Sequence, residues 1–118
     1  MKRYVDGFVL VVPKKNLAAY KKMATWAAKL WMKWGALQYV ETVAEDMKVM
    51  QGALPFPKLT KAKPSEVVVF SWIMFKNRKH RDAVNKKVMA DPKMNEMMEM
   101  PFEMSKTSYG GFETIVNL

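Results

Sequence analysis

The decapeptide Glu66–Phe75, EVVVFSWIMF, constrains this chain more than any other feature. β-Branched and aromatic residues dominate it, and it is apolar at odd and even positions alike, which is the pattern of a central strand buried on both faces. A chain that contains such a strand has to supply a cover for each of its faces.

The flanking segments show what covers are available. Tyr4 to Val12 is β-branched and aromatic and stops at Pro13, so it reads as a second strand. In the segment that follows, Leu17, Tyr20, Ala24, Ala27, Ala28, Trp31 and Trp34 recur at helical spacing, with Gly35 as the stop. Leu37 to about Asp46 alternates through Tyr39, Val40, Thr42 and Val43 and reads as a strand. Met47 to Pro64 holds Gly52, Pro55, Pro57 and Pro64, and is expected to be a long loop without regular structure. After the central strand, Asn77 can cap a helix that places Ala83, Val84 and Val88 inward and ends near Asp91. Pro92 opens a short Met-rich helical turn through Met100, and Thr107 to Val116 closes the chain as a fourth strand. Gly110-Gly111 in that strand implies a bulge or a close backbone approach.

The order is two βαβ-type halves in succession. It predicts an α+β, ferredoxin-like fold: a four-stranded antiparallel sheet with both helices on one face, over residues 1–118 as one domain. Two helices cover one face only. The other face of the central strand calls for a partner or a ligand, and a second copy of the chain is the expected cover.

Composition narrows the chemistry. The chain has no Cys, which excludes disulfides, thiolate metal sites and Cys nucleophiles, and His80 is its only histidine, so no metal or other cofactor is expected. The longest apolar run near the N-terminus, Phe8 to Val12, is too short for a signal peptide or a membrane span, so a cytoplasmic location is the expectation. The net charge of +9 raises nucleic acid as a partner. However, Lys14, Lys15, Lys21, Lys22, Lys29 and Lys33, like Lys76, Arg78, Lys79, Arg81, Lys86 and Lys87, are the polar positions of two amphipathic helices, and a solvated face explains them. Nucleic-acid binding is expected to be weak and non-specific.

Six segments, YVDGFV at 4–9, WGALQYVE at 34–41, VVFSWI at 68–73, RDAVNKKVMADPKM at 81–94, MPFE at 100–103 and YGGFE at 109–113, together resemble the YbaA-like family of small bacterial proteins of uncharacterised activity. The resemblance implies a dimeric α+β barrel in which two ferredoxin-like sheets face each other. It implies no activity.

Strand alternation puts Tyr4, Asp6, Phe8 and Leu10 on one face, with Val5, Gly7, Val9 and Val11 on the other. Gly7 suits close packing under a helix, which assigns Asp6 to the open face, together with Tyr39 and Glu41, Phe70 and Trp72, and Tyr109 and Glu113. A carboxylate in such an aromatic-lined interior has its pKa raised by desolvation, as in general acids and bases, so Asp6 and Glu41 are the candidate catalytic residues. Asp6, Glu41, Trp72, Arg81 and Tyr109 are the candidate ligand-binding set. The plainer alternative is that the carboxylates accept hydrogen bonds from Tyr, Trp or Arg and only hold the packing in register. Arg81 and Asn85, one helical turn apart, can reach the same spot. The Met-rich segments 47–50 and 89–104 either pack adaptably over the barrel mouth or fill core.

The leading functional expectation is a homodimeric small-molecule binding or structural module. The alternatives are a cofactor-independent monooxygenase or isomerase that uses the barrel interior, and weak binding of RNA or an acidic partner by the basic helix faces.

Overall fold

The computed structural model describes residues 2–96 and 100–118. Its strands are β1 (Tyr4–Pro13), β2 (Gln38–Val43), β3 (Glu66–Phe75) and β4 (Ser108–Glu113), and its helices are α1 (Leu17–Lys33), α2 (Phe56–Thr60) and α3 (Arg78–Ala90). The sheet order is β2-β3-β1-β4 and every neighbouring pair is antiparallel, with α1 and α3 against one face. This is the ferredoxin-like arrangement, with the doubly apolar β3 and β1 in the centre.

Local chemistry sets the ends of the helices. The Asn77 side chain accepts a hydrogen bond from the His80 backbone N–H at 2.8 Å and caps α3. Gly35 follows α1 at φ +110°, a conformation in which a Cβ would be strained. The core between helices and sheet has two parts. Leu30, Ile73, Phe75, Val84 and Val88 pack under α3, while Leu10, Val12, Tyr20, Ala24 and Val69 pack under α1. Each fully buried Val or Phe there contributes roughly 1.5–3 kcal/mol.

Several boundaries differ from expectation. β2 ends at Val43 and β4 at Glu113, and one further backbone hydrogen bond continues each ladder, from the Ala44 N–H to the Val68 carbonyl at 2.9 Å and from the Thr114 N–H to the Arg3 carbonyl at 3.0 Å. The proline-rich 47–64 segment contains α2, since Pro55 and Pro57 sit at its start, where a missing backbone N–H costs nothing. α2 lies on the sheet face opposite α1 and α3, and its Phe56 ring meets Phe70 edge-on at 6.3 Å. The Gly110-Gly111 pair makes no bulge, as the β1–β4 register runs unbroken from Tyr4–Glu113 to Val9–Ser108. Close approach explains it instead: a Cβ on Gly111 would collide with the Tyr4 phenol. Of the Met-rich turn, Met94 packs against the α3 core, and Met97 and Met98 lie outside the described residues. Among the described residues, no helix is long and apolar enough to cross a membrane.

Candidate functional site

The pairing register decides which side chains share a face. Asp6 stands opposite Ile73 and Gly111, and Gly7 opposite Trp72 and Gly110. Because Ile73 belongs to the core under α3, the Tyr4, Asp6, Phe8, Leu10 row faces the helices and the Val5, Gly7, Val9 row faces away. This reverses the expected assignment of Asp6. Gly7 packs not under a helix but against the Phe112 ring, 3.3 Å from where its Cβ would stand. By the same register Tyr39 and Glu41, opposite Ile73 and Ser71, and Tyr109, opposite Phe8, also lie in the helix-facing layer. Phe70 and Trp72 alone of the expected set remain on the open face.

Asp6 is buried at the foot of α3. Its carboxylate accepts a hydrogen bond from Arg81 Nη1 at 2.7 Å, and the guanidinium also lies 4.9 Å above the Tyr4 ring. Asn85 supports the carboxylate from the next turn and accepts from Trp31 Nε1 at 3.0 Å. Burial pushes the Asp6 carboxyl above its ordinary pKa, and Arg81 and Asn85 partly oppose this. Arg81 donates in turn to Asp82 at 2.7 Å. The network ties β1, α1 and α3 together.

Glu41 has a different setting. Its two carboxylate oxygens each accept one phenol: Tyr20 from α1 at 2.7 Å and Tyr39 from its own strand at 2.9 Å. Burial, reinforced by the Glu41 charge, raises both phenols well above the ordinary tyrosine range, so both stay protonated and act as donors. Glu41 forms part of the wall between two spaces. Outward, between α1 and β2, lies a cleft of 660 Å³ lined by Leu17, Ala18, Ala24, Ala28, Val43 and Val69 with Tyr20, Tyr39 and Glu41. Inward lies a cavity of 130 Å³ bounded by Phe8, Met23, Ser71, Ile73 and Phe102. The cleft is wide because α1 presents alanines at 18, 24 and 28.

The remaining candidates, Trp72 and Tyr109, both line a concavity on the other side of the sheet. Tyr109 is 71 % exposed and stacks on Phe8, with ring centroids 5.7 Å apart. Trp72 donates its Nε1–H to Gln38 at 2.9 Å and lies in that concavity, of 560 Å³, with Val5, Val9, Phe70, Met74 and Phe112. The structure thus brings Asp6 and Arg81 together and sets both apart from the other candidates, of which Trp72 borders the 130 Å³ cavity with Glu41 and the 560 Å³ concavity with Tyr109. Two polar groups escaped the sequence reading. Tyr20 looked like a core position, although a buried hydroxyl on an otherwise apolar helix face requires an acceptor. Asp91, which in the sequence reads only as a helix end, accepts from Lys33 Nζ at 2.9 Å, Trp34 Nε1 at 2.8 Å and the Lys93 N–H at 2.8 Å. His80 Nδ1 accepts from the Lys76 backbone N–H, and the described residues contain no group of three His, Asp or Glu able to hold a metal ion.

Comparison with known proteins gives one family and one fold. The family described as "Protein of unknown function (DUF1428)" matches residues 3–104. "Uncharacterized protein YbaA" of Escherichia coli K12 is 46% identical over 117 residues, spanning 98% of both chains, and its Shigella flexneri counterpart gives the same values. Two solved structures share the fold. A candidate antibiotic biosynthesis monooxygenase from Nitrosomonas europaea has a TM-score of 0.52 at 13% identity, with 96% of this chain and 90% of that one covered. A dimeric ferredoxin-like protein from an uncultured marine organism has a TM-score of 0.51 at 9% identity, with both chains covered in full.

Proposed function

The chain belongs to the DUF1428 family, whose function is not established, and on that premise we propose that it is a cytoplasmic, one-domain homodimer that binds a small molecule. The observation that carries the proposal is a division of labour between the faces of the sheet. The open face holds Val5, Val9, Phe70, Trp72, Met74 and Phe112 in a broad apolar concavity, and α2 covers only its end at Phe70. A second copy suits that surface, as the dimeric marine protein of the same fold suggests. The cleft between α1 and β2 belongs to the other layer, so dimerisation leaves it open for a ligand.

An enzyme reading has less support. Asp6 is already engaged by Arg81, and the Tyr20 and Tyr39 phenols are held in their protonated form. A second binding reading rests on charge. α1 and α3 lie in one layer and expose Lys21, Lys22, Lys29, Arg78, Lys79, Lys86 and Lys87, which supports weak, salt-sensitive association with RNA or an acidic partner.

Light scattering on the purified protein tests the dimer. The expected mass is twice that of the chain, falling to a folded monomer in Phe112→Asp; a wild-type monomer at micromolar concentration rejects the assembly. Native mass spectrometry of protein taken directly from cells tests the binding reading. A retained small molecule that disappears when the cleft is filled by Ala28→Trp is the expected result, and one retained in that variant refutes the assignment of the cleft.

A further inference from the structure

Among the described residues, three other buried or half-buried carboxylates each have a cationic partner. Asp6 has Arg81 at 2.7 Å, Asp91 has Lys33 at 2.9 Å and Glu66 has Lys106 at 3.1 Å. Glu41 has none among the described residues, and its only hydrogen-bond donors are two neutral phenols. Phenols satisfy part of a carboxylate's hydrogen-bonding capacity and none of its charge. A carboxylate has about four acceptor sites, so with one phenol on each oxygen roughly two stay open. This uncompensated charge borders a cleft whose remaining walls are largely alkyl, and Lys21, the one lysine at the rim, forms no ion pair with it. An anion of this kind, set against two tyrosine rings, is a receptor for an organic cation: the carboxylate takes the N–H donors, and an aromatic face can attract the positive charge.

We propose that the cleft between α1 and β2 binds a primary ammonium ion carrying an alkyl tail, with its head on Glu41 between Tyr20 and Tyr39 and its tail along Ala24, Ala28 and Val43. The inference rests on the small-molecule reading above and adds the ligand's charge and shape. The preference is set against the protein's overall field. A chain of net charge +9 attracts anions at long range, so selection of a cation requires a local negative site.

The test is titration calorimetry at neutral pH and moderate salt with three probes that share one tail: octylammonium, octan-1-ol and octanoate, all below their aggregation limits. Octylammonium is expected to bind about ten-fold more tightly than the alcohol, and octanoate more weakly still. Glu41→Gln is expected to remove the ammonium preference while leaving octanol affinity within about two-fold. Ala28→Trp, which keeps Glu41 and fills the cleft, is expected to abolish binding of all three probes. Equal affinity for alcohol and ammonium, or a preference for octanoate, overturns the ammonium assignment but leaves a small-molecule cleft standing. Full ammonium affinity in Glu41→Gln also overturns it, and full affinity in Ala28→Trp moves the site elsewhere. Failure of all three probes to bind wild-type protein overturns this inference and the cleft reading with it.

Discussion

Asp6 and Glu41 are both carboxylates on sheet strands under the same helix layer, yet their surroundings differ in kind. Asp6 is closed in by Arg81, Asn85 and the Tyr4 ring, with a full counter-charge 2.7 Å away. Glu41 is held by two neutral hydroxyls and borders open space. An ion pair that is both buried and hydrogen-bonded joins elements, and removing either member strands the other. A carboxylate held only by phenols leaves its charge available to an incoming group. The contrast separates a structural acid from a receptive one, a distinction invisible in residue type.

The contrast is broken most severely from the Asp6 side. Arg81→Met leaves Asp6 buried without its cation, and chemical denaturation at pH 7 is expected to show a loss of about 3 kcal/mol. The sign of its pH dependence is a further check. Burial raises the folded-state pKa of Asp6 above its ordinary 3.8, and loss of Arg81 raises it more. The folded variant therefore takes up the proton first on acidification, so its deficit relative to wild type should shrink as the pH falls toward 4. A deficit that is constant with pH would remove Asp6 from the account. Gly111→Ala comes next. The new methyl displaces the Tyr4 phenol, on whose ring Arg81 rests, and a loss of about 1–3 kcal/mol is expected from thermal melting.

Asp91 sharpens the comparison with a third kind of acid. The Lys93 backbone N–H, Lys33 and Trp34 hold its pKa down to about 2. Its contribution is fully present above the ordinary value of 3.8 and disappears as the pH falls through about 2. Asp91→Asn should therefore lower the melting temperature at pH 6 and converge on wild type near pH 2; parallel curves would refute the assignment. The smallest effect belongs to Glu41. In Glu41→Gln the new side-chain amide retains an oxygen for one phenol and offers its NH2 group to the other hydroxyl oxygen, so stability should change by less than about 1 kcal/mol. A collapse of this variant in denaturation would make Glu41 a structural acid like Asp6.

Much of the fold could be read from the residues, because its evidence is periodic. The β3 run, the three- and four-residue spacing of α1, the Asn77 cap and the Gly35 stop each have a local physical cause that appears in the sequence. The face of β1 was not legible in the same way. Alternation shows that Tyr4, Asp6, Phe8 and Leu10 share a face, but with both rows largely apolar it does not show which row the helices cover. Gly7 tipped the assignment the wrong way, as its missing side chain makes room for the Phe112 ring, a neighbour more than a hundred residues further along. The α1–β2 cleft was hidden for a related reason. It comes from alanines on one element and a tyrosine-held glutamate on another, and neither segment carries a motif for it. Arg81 and Asn85 were a readable pair because helical spacing alone puts them on one side.

The place of β1 in the sheet has a consequence for how the molecule assembles. Its hydrogen-bonding neighbours are β3, from residues 66–75, and β4, from residues 108–113, and Arg3 bonds directly to Thr114, 111 positions away. During synthesis β1 is therefore made before either of its neighbours: a ten-residue, mostly apolar strand whose first edge waits for β3 and whose second stays open until β4 arrives. Contacts so distant along the chain slow the search for the native topology, and an unpaired apolar edge invites pairing with other chains in the meantime. Refolding yield should therefore fall as protein concentration rises, and most sharply in versions cut before Ser108, where the edge of β1 that faces β4 is never closed.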